Sequence, residues 1–412
     1  MAVVRPFKAI RPAKNYAEKV VSLPYDVMNR KEAAEMAEGN PCSFLHICRA
    51  EIDLPNKDQY AKAVYEKARD NIDKYLADGV FTQDEKPLLY VYRQMMDGRY
   101  QTGIVGCVSV DEYLDNTIKK HEFTRVEKEI DRINHFDVCN ANTEPVFLTY
   151  RDNLKLRTII EGYIGGNEPE YDLTTDDGIG HTLWAIKDQG VIDSIVKLFG
   201  DIPALYIADG HHRSASACKV GLKRREENPN YTGDEEFNFF MAVIFPDNDL
   251  KIFDYNRVVK DLNGLSSAEF LAKVEAAGFA VEKKGSAIYY PEGKHIFAMY
   301  LDNEWYKLTA GPAIIPDHVI DSLDVAVLQN SLLHPILGIE DPRTDKRIDF
   351  VGGIRGLEEL EKRTKEDMKV AFAVYPVDIS DLLSVADANM VMPPKSTWFE
   401  PKLGSGLFVH KL

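Results

Sequence analysis

The sequence predicts a mixed α/β protein, of α+β character with mixed sheets, on three observations. Helical and strand-like hydrophobic periods alternate along the whole chain. A strong hairpin signal, Asp97-Gly98 between two apolar runs, calls for antiparallel pairing. No internal repeat or low-complexity segment interrupts the pattern, so order is expected throughout.

Taken in order, "NRKEAAEMAEG" and "DQYAKAVYEKARDNIDKYLADG" carry helical spacing, the second closing on a Gly suited to a helix C′ position. "PLLYVYRQM" and "TGIVGCVSV" read as the hairpin strands. "TIKKHEFTRVEKEIDRINHFDVCNA" opens as loop and continues as helix, with Thr124 and Glu127 spaced as a capping box. Strands follow at "PVFLTY", "HTLWAI" and "ALYIA", then at "NFFMAVIFP" and "LKIFDYNRV". The helix "SAEFLAKVEAAG" precedes strands "AIYYP", "HIFAMYL" and "EWYKLTA". The last quarter offers helix "DHVIDSLDVAVLQNSLL", strand "RIDFVGG", helix "IRGLEELEKRTKED", strand "KVAFAVYPV" and helix "ISDLLSVADA". Expected divisions fall near residues 85 and 260, giving regions 1–85, 86–260 and 261–412.

Composition narrows the function classes. The chain has 412 residues, 45% apolar, and a formal net charge of −16 spread along its length. That balance disfavours a nucleic-acid or anionic-membrane surface, so any bound anion must be held locally. The first twenty residues lack a continuous apolar core and no run approaches a spanning helix, so a soluble, cytoplasmic protein is expected. Five scattered cysteines without C-x-x-C spacing suggest reduced, mostly buried thiols rather than disulfides or structural zinc. Oligomeric state, including any homo-oligomer, is left open.

Three stretches carry chemistry. In "ALYIADGHHRSASA" a strand hands over to a helix at Asp209-Gly210-His211-His212-Arg213. A helix N-terminus offers unpaired N–H groups and partial positive charge, and Gly210 lets a ligand approach the backbone. Arg213 sits at the end of the helix where a cation is disfavoured, which a bound anion would reconcile. The alternative is a pairing of Arg213 with a neighbouring carboxylate. Zinc held by His211 and His212 is disfavoured, since adjacent residues rarely point at one metal.

In "IKKHEFTRVEKEIDRI", Glu122 stands in the loop before the helix, beside Lys119, Lys120 and His121. A carboxylate there can accept a hydroxyl proton or orient a metal-bound phosphate, and neighbouring cations would keep it ionised; a solvated, charge-rich helix start is the alternative. In "MVMPPKSTWFEPKLGSG", Lys395, Ser396 and Thr397 can bind phosphate oxygens, or the segment can simply close the fold. Neither G-x-x-x-x-G-K-[ST] nor G-x-G-x-x-G occurs, and Gly352, Gly353 and Gly356 read as turn glycines. Asp26, Arg49 and Glu51 catch the eye in "LPYDV" and "HICRAEIDLP" without a role to attach.

Together "PYDV", "GNPCSFLHI", "KKHEFTRVEKEIDR", "NTEPVFLTY", "YIADGHHRSASA" and "MPPKSTWFEPK" resemble a bacterial and archaeal family known as domain of unknown function ten-fifteen. The D-G-H-H-R turn is also similar to the phosphate-binding motif of the ParB and sulfiredoxin superfamily, which implies a nucleotide-binding core with N- and C-terminal additions. His211 occupies the place of the sulfiredoxin cysteine, so that chemistry is not expected; the DNA-binding helices of ParB proteins are not found, so no nucleic-acid partner is expected. Three motifs resemble, in order, the free serine kinase branch. The resemblance implies that Glu122, with His121, acts on a hydroxyl as catalytic base. It implies that Asp209 and His212 position substrate or Mg²⁺, with Asp209 as the metal residue. It further implies that Gly210, His211, Arg213 and Ser214, with Lys395, Ser396 and Thr397, bind the phosphates of ADP or ATP. The acceptor would be L-serine or a similar small hydroxyl compound. A nucleotide-binding regulator and a nucleotide hydrolase are the competing readings, and the inserted stretch 151–186 between the first two motifs, like the first eighty-five residues, is a place where an acceptor pocket could be rebuilt.

Overall fold

The computed structural model describes residues 2–412. It is a mixed α/β protein of two compact units, one formed by residues 2–250 with Pro401–Leu412 and the other by Lys251–Glu400. The divisions differ from the expected ones. Residues 2–85 pack with 86–250 in one unit, and the last twelve residues return to it.

The first unit is built on a nine-stranded sheet. Its order is Ile118–Lys119, Leu205–Asp209, Val146–Tyr150, Phe239–Pro246, Arg99–Ser109, Leu89–Met96, Gly180–Ile186 and Tyr171–Thr174, with Val4–Arg5 also on Arg99–Ser109. The Asp-Gly hairpin forms as expected: Leu89–Met96 runs antiparallel to Arg99–Ser109, and Asp97 and Gly98 both take positive φ, as a primed turn requires. Two pairings are parallel, Ile118–Lys119 with Leu205–Asp209 and Val146–Tyr150 with Phe239–Pro246. Phe239–Pro246 is buried at nearly every position, which is why "FFMAVIF" shows no alternation.

Helices Val126–Cys139 and His211–Glu227 lie against this sheet and each other. The Ser216 hydroxyl donates to the Glu129 carbonyl at 3.0 Å. Ile118, Phe136, Leu148, Ile207 and Val220 close the core between these helices and the sheet. A second core gathers the N-terminal segment, with Tyr25, Phe44, Ile47, Val64, Ile72 and Phe81 packed together with Cys139 and Val409. Here the Asn29–Glu32 capping box starts helix Arg30–Ala37, and Gly79 turns the chain at positive φ one residue beyond the cap of Lys62–Ala77. All five cysteines are free thiols, Cys42 half-buried and the rest buried.

The second unit holds an antiparallel six-stranded sheet in the order Phe279–Gly285, Glu304–Ala310, Ile296–Leu301, Val370–Ala373, Tyr255–Val259, Ile348–Gly352. "LKIFDYNRV" is two strands rather than one, Lys251–Phe253 and Tyr255–Val259, because only the second joins this sheet. "AIYYP" is not a strand; the preceding Phe279–Gly285 is. The helix expected over "DHVIDSLDVAVLQNSLL" shortens to Asp324–Leu328 followed by a π-turn over Gln329–Leu333. Among the described residues no helix is long and apolar enough to cross a membrane.

Candidate functional site

Parallel pairing builds the site. Ile118–Lys119 and Leu205–Asp209 run side by side in the same direction, with Ile118 opposite Leu205. The segments that follow them therefore leave the sheet at the same edge, bringing His121 and Glu122 beside Gly210 and His211.

Gly210 is the hinge. It takes φ 95°, ψ 31° as the N-cap of His211–Glu227, and no side chain caps the helix. The first intrahelical bond closes from Ser214 N–H to the Gly210 carbonyl at 2.9 Å. The N–H groups of the first turn thus point out of the helix with its positive dipole end, the arrangement that suits an oxyanion. Ser214 is fully buried, and its hydroxyl bonds back to the Gly210 carbonyl at 3.1 Å. It braces the turn from beneath.

The two histidines of the motif play different parts. The rings of His211 and His121 meet edge to face, centroids 4.5 Å apart. His211 Nε2 accepts a long hydrogen bond, 3.4 Å, from the His121 N–H, which leaves Nδ1–H facing Glu122 Oε2 at 3.7 Å. Burial, with His121 alongside, holds the His211 pKa well below its ordinary value, so the ring is neutral. His121 is 2% exposed, and its ring makes at most a weak contact with the Ile207 backbone. Burial pushes its pKa down to about 4 despite the opposing pull of Asp209. His212 points elsewhere: its Nε2 accepts from the Arg125 N–H at 2.9 Å, tying the two helix starts together.

Arg213 takes the carboxylate pairing rather than standing as an unmatched cation. It is 2% exposed, donating from Nη1 to the Pro145 carbonyl at 2.6 Å and from Nη2 to Asp209 Oδ2 at 2.9 Å. The guanidinium locks strand, loop and helix together, and only its Nε lacks a partner. Burial works to raise the Asp209 carboxyl, but Lys402 and Arg213 outweigh it and hold the pKa down at about 2.

Glu122 is the exposed carboxylate of the group, its side chain 45% accessible. Lys120 does not attend it, donating instead to the Tyr113 carbonyl at 2.7 Å. The expected Thr124–Glu127 capping box does not form. The helix starts at Val126 without a side-chain cap, and the Thr124 hydroxyl donates to Glu129 Oε2 at 2.7 Å because Glu129 is turned inward against Lys219.

Lys395, Ser396 and Thr397 belong to the second unit. Lys395 has φ 57° and holds its ammonium 5.2 Å from the Tyr255 ring centre, and Ser396 donates to the Pro393 carbonyl at 2.6 Å. The Lys395 carbonyl accepts from Arg257 at 3.1 Å.

The residues missed from sequence are Lys402 and Arg125. Lys402 acts through its field on Asp209, and a Pro-Lys pair seven residues past Lys395 was the available signal; Arg125 acts through its backbone and left no signal. The strands of the inserted stretch, Tyr171–Thr174 and Gly180–Ile186, add to the sheet at the edge opposite Leu205–Asp209, so they do not line the site.

Among the described residues no group of three or more His, Cys, Asp or Glu side chains is placed to hold a metal ion. Mg²⁺ needs no such cage when phosphate oxygens supply most of its ligands, and the ionised, partly exposed Asp209 fits that more modest part.

The fold and this turn define a mixed α/β protein with an oxyanion-suited strand-to-helix junction. The family model described as "Protein of unknown function (DUF1015)" matches residues 4–326, most of the chain, and the protein belongs to that family. No curated protein matches. Among solved structures, the chain is similar to a mutant of free serine kinase in complex with AMP, at 15% identity and TM-score 0.38, over 74% of this chain and 92% of that one. A conserved hypothetical protein from Pyrococcus furiosus matches at 16% identity and TM-score 0.36, over 74% and 95%. SbnI with a C-terminal truncation, from Staphylococcus aureus, matches at 10% identity and TM-score 0.40, over 74% and 87%.

Proposed function

We propose that the protein is a nucleotide-dependent phosphotransferase acting on a small hydroxyl compound, with L-serine as the first acceptor to try. The observation that carries this reading is Glu122 Oε2 at 3.7 Å from neutral His211 on the first turn of an uncapped helix. It sets a solvent-accessible base beside a ready oxyanion site, and the ordered resemblance of the three motifs to the free serine kinase branch supports it.

The terminal phosphate of ADP or ATP sits on the N–H groups of the first turn. Arg213 and Ser214 hold that turn in shape. Glu122 takes the proton of the acceptor hydroxyl as its oxygen bonds to phosphorus; the bond from phosphorus to the nucleotide oxygen breaks, and the nucleotide leaves with the electron pair. When bound, Mg²⁺ neutralises phosphate charge, with Asp209 as the residue to meet it. His212 fixes the loop that carries Glu122.

The test is incubation with Mg²⁺, ADP or ATP and a panel of hydroxy amino acids. O-phosphoserine should form, and Glu122→Gln should slow its formation by about a hundredfold or more while nucleotide binding is retained. Nucleotide binding without turnover would point instead to a regulator, and phosphate release independent of acceptor to a hydrolase.

A further inference from the structure

A pocket in the first unit, of about 90 Å³, lies where the N-terminal segment meets helix Val126–Cys139. Lys128, Arg132 and His135 line it at spacings of four and three residues, which is one face of a helix. Tyr25, Asp26, Arg49 and Glu51 line it from the N-terminal segment.

Arg132 is held for a guest. It is 4% exposed, its guanidinium carbon lies 4.0 Å from the Tyr25 ring centre, and Nε and Nη2 both reach Asp131 Oδ2, at 2.9 and 2.7 Å. The other Asp131 oxygen accepts from the Tyr65 hydroxyl at 2.9 Å. Nη1 has no hydrogen-bond partner, and the closest acid to it, Glu144 Oε2, is 3.8 Å away. One helical turn on, His135 is 2% exposed and its Nε2 is also without a partner. Two buried nitrogens without hydrogen-bond partners in one small pocket are costly unless a guest meets them.

We infer that this pocket binds a small α-amino acid, its carboxylate taken by Arg132 Nη1 and His135 Nε2 and its ammonium by the acids of the opposite wall. Three observations select that class. A fixed arginine whose Nη1 is ion-paired at 3.8 Å but makes no hydrogen bond, with a neutral imidazole lining the same pocket, suits a carboxylate guest. The lining carries three cations (Arg49, Lys128, Arg132) and three acids (Asp26, Glu51, Asp131), so a zwitterion leaves its charge balanced where a singly charged guest does not. The volume holds several waters and is far too small for a nucleotide. Asp26 joins the pocket to the phosphate turn, since its charge acts on both His212 and Arg213. Calling the guest the phosphoryl acceptor rests on the phosphotransferase reading; the binding site itself does not.

Calorimetric titration of the full chain tests it with L-serine and glycine, with serinamide, which lacks the carboxylate, and with lactate, which lacks the ammonium. The amino acids should bind, and both analogues should bind at least about tenfold more weakly. Arg132→Lys should weaken L-serine by a similar factor. Gln59→Trp, at the exposed rim, should do the same without disturbing the buried network, and neither change should alter ADP affinity. Absence of amino-acid binding at millimolar concentration, or binding indifferent to both substitutions, overturns the inference; so does an analogue that binds as tightly as L-serine. The two readings fail separately. Amino-acid binding without phosphoryl transfer removes the proposed function and leaves the site. Transfer to L-serine with an unchanged KM in both variants removes the site and leaves the function.

Discussion

At the scale of single residues, the Asp-Gly-His-His-Arg turn works because each side chain has a separate mechanical task. Gly210 is the least replaceable. Its φ of 95° is a backbone conformation that L side chains rarely adopt, and an added Cβ would come within 3.1 Å of Arg213 Nε. Gly210→Ala should therefore cost about 1–2 kcal/mol of stability from the backbone alone, read as a lowered denaturation midpoint. It should weaken ADP binding further, because the guanidinium must shift to make room. The motif's residue types and the strand-to-helix handover at Gly210 were legible in the sequence. The fate of Arg213 was not. Helix polarity argued for a missing anion, whereas Asp209, four residues back on the strand, already supplies the opposite charge. One-dimensional spacing could not reveal this, because the Pro145 carbonyl that fixes the guanidinium comes from the residue just before the neighbouring strand Val146–Tyr150.

At the scale of elements, helix His211–Glu227 owes its position to small residues as much as to apolar ones. Gly221 faces the Phe237 carbonyl so closely that a Cβ there would lie 2.5 Å from it and 3.2 Å from Val110 Cγ2. Helix propensity favours Gly221→Ala by up to about 1 kcal/mol, yet backbone cannot retreat as a side chain can. The substitution should destabilise the protein by about 1–3 kcal/mol net, with thermal unfolding as the measurement and a raised Tm as the outcome that refutes it. Strands such as Phe239–Pro246 and Val146–Tyr150 were readable because buried apolar runs leave a local imprint. The capping box was not, since Thr124 satisfies Glu129 through a tertiary arrangement that turns the glutamate inward. The parallel register of Ile118–Lys119 with Leu205–Asp209, on which the whole site depends, pairs only two residues on one strand and left no pattern to read.

At the scale of the whole molecule, the two units carry opposite responses to acid. In the first, burial depresses His121 and His181 to about 4 from an ordinary 6.5, and His135 and His211 well below it. The unfolded chain binds these protons near pH 6.5 and the folded chain does not, so stability present at neutral pH is lost as pH falls from about 6.5 toward 4. Glu112 and Glu144, raised by burial, and His46, raised by its hydrogen bond to Asp53, offset part of this. In the second unit, burial raises Asp324 to about 6 from 3.8 against the opposing pull of His295. Its contribution is full below 3.8 and disappears as pH rises through 6. Calorimetry at pH 7.5 and 5.5 should show the first unit's transition moving down on acidification, with the shift of any second transition smaller or reversed; Asp324→Asn should abolish the pH sensitivity of the latter. None of this was open to the sequence, because burial, not residue type, sets these values.

The strand His410–Lys411 pairs with Ala141–Asn142, and Lys251 lies opposite Glu400 where the chain enters and leaves the second unit. A ribosome makes every residue of Lys251–Glu400 before it supplies the segment that completes the unit begun first. During synthesis the unit bearing the phosphate turn must wait for Leu412, whose backbone N–H bonds to the Asn140 carbonyl 272 residues upstream, while the later-made unit is free to fold ahead of it.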